Sequence, residues 1–172
     1  MHRRTPAIVC LAASLLALGA CSRSPEKDLQ VGHFHLRLVP PDGWEHLDHG
    51  REQIFREGET RISLAEFAPA SSEGTEPVAP DSMAVLLFEQ VFDARRLELY
   101  KRERRTVHGA EWIVLDAWNR VTHSNHTRLA CVERGGYLLV LRIDRGPIEQ
   151  ADPVFEQLLG SIEFISAEAS AG

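Results

Sequence analysis

The sequence predicts an α+β domain, a mostly antiparallel sheet with helices packed on it, preceded by a signal peptide. Three observations predict that class. Period-2 alternation of polar and apolar residues recurs in short segments from residue 33 to residue 143. Apolar residues switch to helical spacing in only two places. The strand-like segments are joined by short, glycine-bearing connections rather than by the alternating helices of a doubly wound parallel fold. The chain has 172 residues, 44% of them hydrophobic, a length that suits one domain and an apolar fraction too high for a disordered chain.

The first strand is read from His33-Phe34-His35-Leu36-Arg37-Leu38, whose alternation presents Phe34, Leu36 and Leu38 to a core. Pro40-Pro41-Asp42-Gly43 ends it, and Trp44 plugs the core after the turn. Residues 53–56 and 61–67 flank Glu57-Gly58-Glu59-Thr60 and form a hairpin. Residues 69–80 form a punctuated loop. Asp81 or Ser82 then caps a helix whose stripe is Ala84, Leu87, Phe88 and Val91. Strands return at about 97–107, 111–118, 127–133 and 137–143, with tight turns at His108-Gly109-Ala110 and Arg134-Gly135-Gly136. A closing helix has Asp152 as N-cap, Pro153 at its first position and Val154, Phe155, Leu158 and Leu159 on one face. Ile162, Phe164 and Ile165 add a last short strand, and 167–172 form a frayed tail.

The amino terminus carries an address. Arg3 and Arg4 precede an apolar run from Ala7 to Leu18, too short for the roughly 20 residues that a membrane-spanning helix needs. Leu18-Gly19-Ala20-Cys21 resembles the bacterial lipobox, whose cysteine is lipidated and then exposed by cleavage. The expected division is therefore a lipoprotein signal peptide at 1–20, a lipidated tether at 21–30 and an α+β domain at 31–166. Ser22 after the cysteine, by that resemblance, implies the outer membrane facing the periplasm of a bacterial cell envelope. Two or three acyl chains on Cys21 anchor a protein far more firmly than one. The 19 Lys and Arg are outnumbered by 25 Asp and Glu, for a net charge of −6 that argues against nucleic acid as a partner. Loss of Arg3 and Arg4 makes the mature chain more acidic still. With Cys10 removed and Cys21 lipidated, Cys131 is the only thiol left, and its apolar neighbours Leu129, Ala130 and Val132 favour burial.

The opening strand followed by Val39-Pro40-Pro41-Asp42-Gly43-Trp44 resembles the entry of the PsbP-like superfamily, which includes the PsbP subunit of photosystem II, a Ran-binding nuclear import factor and bacterial DcrB-like lipoproteins. The order of elements fits over about 31–165. The resemblance implies an α/β/α sandwich that acts as a binding or assembly module, and it brings no catalytic residues. A lipobox in place of a plastid transit peptide, and the lack of a long basic arm, depart from the photosynthetic pattern.

Two constellations bear on function. Of seven histidines beyond the signal, six form the close pairs His33/His35, His46/His49 and His123/His126, a spacing that permits a shared Zn²⁺ or Cu²⁺ ion. No pair sits in a His-Glu-x-x-His or Cys-x-x-Cys context. The segment 95–105 concentrates six cations, Arg95, Arg96, Lys101, Arg102, Arg104 and Arg105, with two acids; it is either a docking patch for an anionic partner or a solvated edge strand. Trp112 and Trp118 share one strand face and serve as core or as an aromatic platform. There is no nucleophile elbow, Walker loop or dinucleotide fingerprint. The expectation is a non-enzymatic envelope lipoprotein, with no cofactor beyond the lipid on Cys21, whose domain binds or scaffolds another envelope protein. The alternatives are a periplasmic metal-binding lipoprotein using the paired histidines and an envelope hydrolase without a recognisable motif.

Overall fold

A computed structural model of the chain describes residues 25–68, 97–121 and 127–165. In chain order the elements are β1 (Lys27–Val31), β2 (Phe34–Leu38), β3 (Glu45–Asp48), β4 (Glu52–Glu57), β5 (Thr60–Phe67), β6 (Leu97–Val107), β7 (Ala110–Asn119), β8 (Thr127–Arg134), β9 (Tyr137–Arg145), α1 (Ile148–Ser161) and β10 (Glu163–Phe164). They form two sheets. Seven strands lie in the order β3-β4-β5-β9-β8-β7-β6, and three in the order β1-β2-β10. Every pairing is antiparallel.

The hairpins follow from local chemistry. β4 and β5 close through Glu57↔Thr60, β6 and β7 through Val107↔Ala110, and β8 and β9 through Arg134↔Tyr137, each leaving a two-residue loop. The central strands read as continuous apolar runs, Trp112-Ile113-Val114-Leu115, Leu129-Ala130-Cys131-Val132 and Leu138-Leu139-Val140-Leu141, because both faces of the large sheet are buried. One face carries Phe55, Ile62, Leu64, Trp112, Val114, Leu139 and Leu141. It packs against Phe155, Leu158 and Leu159 of α1 and against Leu29, Val31, Leu36 and Leu38 of the small sheet. The other face carries Ile113, Leu115, Leu129, Cys131, Leu138 and Val140. Phe155 is fully buried, and its truncation to alanine is worth about 3–5 kcal/mol.

Several expectations are corrected. The strand at Lys27–Val31 occupies residues assigned to the tether: only Leu29 and Val31 supply its buried positions, too few to show as periodicity. β3 is a strand that the sequence does not announce, because its four residues alternate only weakly. The closing helix begins at Ile148, with Pro147 as N-cap, and Asp152 and Pro153 lie inside it. The backbone N–H groups of Gln150 and Ala151 both donate to Pro147 O, at 3.1 and 3.0 Å, which closes a turn ahead of the proline. Asp152 pairs with Arg128 instead of capping. α1 is the single helix among the described residues, so the plural helices of the expected sandwich are reduced to one there; the helix expected near 82–96, the 69–80 loop and the 167–172 tail lie outside the described residues. No described helix is long and apolar enough to cross a membrane.

Candidate functional site

β6 is an outermost strand of the seven-stranded sheet, and its ladder with β7 slips at Tyr100: Leu99 faces Ala117, and Lys101 faces Asp116. A bulge of this kind re-aims the extra residue. The Tyr100 ring stacks on Trp118, with centroids 4.5 Å apart and planes 23° from parallel. Tyr100 remains 44% exposed, while the Trp118 indole N–H lies 3.4 Å from Glu98 Oε2 as donor. Burial, followed by the Asp116 charge, pushes the Tyr100 phenol above its ordinary value. Val121, just beyond β7, is 85% exposed. The exposed large hydrophobic residues of the described chain thus gather at one end of the β6–β7 pair.

Beside this aromatic stack runs a chain of alternating charges. Lys101 Nζ lies 2.7 Å from Glu103 Oε2, Glu103 also accepts from Arg105, and Arg105 Nη1 donates to Glu156 Oε2 at 2.6 Å. Arg128 Nη1 donates to Glu156 Oε1 at 2.8 Å and pairs with Asp152 and with the buried Asp116. Lys101, then Arg105, holds the Glu103 carboxyl below its ordinary range despite partial burial. Burial works against the Arg128 charge, yet Asp116, Asp152 and Glu156 hold that guanidinium above its usual value.

The expected docking patch is therefore divided. Lys101 and Arg105 engage the acids of β6, β7 and α1, whereas Arg102 and Arg104 alternate with them, Arg104 pairing with Glu111 at 3.3 Å. Arg95 and Arg96 lie outside the described residues, as does Cys21.

The histidine pairs are also separated. His33 sits in the β1–β2 turn, where its backbone N–H donates to Glu66 and its Nδ1 lies 3.0 Å from Glu66 Oε1. Its ring stacks on Tyr137 at 4.0 Å, while His35 stands exposed on β2. Burial raises the Glu66 carboxyl, and His33 together with Arg51 more than reverses this, so the net displacement is downward. His46 is occupied at both ring nitrogens. Lys27 donates to Nδ1 at 2.8 Å, which leaves the proton on Nε2, donated to Gln53 Oε1 at 2.7 Å. Gln53 passes the chain on to Asp48 Oδ1 at 2.8 Å, and His49 is exposed in the following turn. His123 and His126 lie outside the described residues. Among the described residues no three His, Cys, Asp or Glu side chains are arranged to hold a metal.

Sequence reasoning singled out neither Glu66 nor Asp116. The available signal was a lone carboxylate inside an apolar run, Ala65-Glu66-Phe67 and Leu115-Asp116-Ala117, where burial demands a cationic partner.

The architecture matches that of cyanobacterial PsbP (CyanoP) from Synechocystis sp. PCC 6803, with a TM-score of 0.59 over 88% of this chain and 99% of that one at 17% identity. The fold is PsbP-like. A protein of unknown function from Pseudomonas aeruginosa, PA94, aligns over 78% of this chain and 92% of its own, at 19% identity and a TM-score of 0.42. No family model matches the sequence. No curated protein matches it either. The short stretch that resembles the entry of this fold, Val39 to Trp44, is the connection between β2 and β3. The Trp44 N–H donates to Pro41 O at 3.4 Å, and the indole packs against the core. In this PsbP-like domain the Tyr100–Trp118 stack lies across the large sheet from that turn, on the β6 side.

Proposed function

We propose that this chain is a lipoprotein anchored in the bacterial envelope through Cys21, on the periplasmic side of the outer membrane, and that its domain is a non-catalytic binding or scaffold module for another envelope protein. The observation that carries the binding role is the half-exposed Tyr100–Trp118 stack at the end of an edge strand. Aromatic residues with one buried side and one wet side are enriched where proteins meet. The PsbP-like fold and the lack of a catalytic motif agree with a module that binds rather than transforms. The segment Leu18–Cys21 supports the anchor. β1 begins six residues after Cys21, so the tether spans at most about 20 Å and keeps the domain close to the bilayer.

Two measurements test this reading. Mass spectrometry of the amino-terminal peptide recovered from cells is expected to find an acylated Cys21; an unmodified thiol there overturns the anchor. A photocrosslinking residue at position 100 is expected to yield one discrete adduct with an envelope protein, lost in Trp118→Ala. If no adduct forms, or the same adducts arise from a crosslinker at Glu59 on the far side of the sheet, the docking surface is wrong.

A further inference from the structure

Arg56 faces Arg61 across the β4–β5 ladder, and Arg61 faces Arg145 across the β5–β9 ladder. Three guanidinium groups therefore stand in one cross-strand row of an acidic protein, although like charges directly opposite one another destabilise a sheet. The row lines a cavity of about 250 Å³, whose described walls include the apolar Leu47 and Ile54 and a single acid, Glu59. Internal pairing neutralises the row only in part. Arg56 donates to Glu45 at 2.6 Å, and Arg61 is ion-paired through Nε with Asp144 Oδ2 at 2.8 Å and through Nη2 with Glu52 Oε1 at 3.4 Å. Arg145 has no ion pair or hydrogen bond from its side chain among the described residues.

The backbone beside Arg145 is closely packed. A Cβ on Gly146, which has φ +114°, would lie 2.7 Å from Thr60 Cα, so the chain beyond Arg145 is pressed against the start of β5. Thr60 Oγ1 in turn donates to Gln150 Oε1 of α1 at 2.8 Å.

We propose that this cavity binds phosphate, free or as the head of a small phosphate ester, with Arg145, Arg61 and Arg56 as its ligands. A guanidinium offers five donors in a planar fork matched to phosphate oxygens. Three of them suit a multiply charged tetrahedral anion better than a single carboxylate. Leu47 and Ile54 supply an apolar wall for the carbons of an ester. The site lies on the β3 side of the sheet, away from the Tyr100–Trp118 surface, and stands independently of it.

The test is calorimetric titration of the full chain, purified in detergent, with inorganic phosphate, glycerol 3-phosphate and acetate at matched ionic strength. Phosphate is expected to bind and to raise Tm, and Arg145→Gln to weaken it roughly tenfold or more, the loss of one charge-assisted contact. Without phosphate, Arg145→Gln is expected to melt no lower than the parent, because it relieves repulsion; a purely structural role for Arg145 gives the opposite. Arg145→Lys retains the charge without the fork and is expected to bind with intermediate strength, which keeps the test alive if the glutamine variant fails to fold. Tighter binding of glycerol 3-phosphate assigns the site to phosphate esters, and equal binding assigns it to the free ion. Acetate binding as tightly as phosphate, or phosphate affinity unchanged in both variants, overturns the proposal.

Discussion

Asp116 on β7 faces Arg128 on β8 across the sheet, and the Asp116 side chain is only 4% exposed. A carboxylate in that position persists because its partner, at 15% side-chain exposure, is withdrawn from water beside it.

Removing Arg128 strands the buried Asp116, whereas removing Asp116 leaves Arg128 paired with Asp152 and Glu156. Arg128→Met is expected to destabilise the domain by about 3–5 kcal/mol and Asp116→Leu by less, whereas the two changes together recover most of the Arg128→Met loss. Urea unfolding of the four proteins checks it through the non-additivity of the cycle.

Acid is expected to loosen the corner where the β1–β2 turn meets β5. The folded-state value of Glu66 lies below its ordinary 4.5, chiefly through His33 acting against burial. A carboxylate with a depressed folded value binds fewer protons folded than unfolded. Its stabilisation is therefore complete above the unfolded value and is lost as pH falls from there through the folded one. Tm measured against pH should fall below about pH 4.5 in the parent and fall less steeply in Glu66→Gln.

Gly32 cannot be enlarged. Its φ is +58°, and an added Cβ would sit 2.2 Å from Glu66 Oε2, so Gly32→Ala should cost at least 1–3 kcal/mol, roughly, by combining strain with displacement of the buried carboxylate. Gly160, near the end of α1, has open space around it, and Gly160→Ala should be neutral or stabilise by up to about 1 kcal/mol. Thermal melts should show a lowered Tm for Gly32→Ala and an unchanged or raised one for Gly160→Ala.

The Cys131 thiol is 1% exposed on the sheet. Iodoacetamide should label it in the folded chain far more slowly than after unfolding in urea, a contrast read by intact mass. Rapid labelling of the native domain would show that this face opens.

Much of this architecture is legible in the residues themselves. The alternation through Phe34, Leu36 and Leu38, and the glycine turns at 109 and 135–136, place β2 and the β6–β9 meander within a residue or two of where they stand. β1 and β3 escape notice because their few core positions acquire meaning only against partners: Leu29 opposite Leu36, and Leu47 opposite Ile54. The start of α1 escapes for a related reason. Asp152-Pro153 is a sound local signal for a helix start, and the pull of Arg128 on Asp152 overrides it.

Spacing alone made His33 and His35, and the cations of residues 95–105, look like sites. Distribution between faces then separated them. His33 turns to the buried Glu66 while His35 faces solvent, and alternate cations of β6 meet the acids of α1.

The sequence by itself determined the strand periods, the tight turns, the burial of Cys131 and the acidic balance, since each depends on near neighbours or on composition. Only the tertiary structure decided that Asp116 meets Arg128, that Tyr100 lies on Trp118, and that Arg56, Arg61 and Arg145 form a row. Those relationships depend on strand order and register, which bring residues tens of positions apart to within a few ångströms, and no local pattern encodes that pairing.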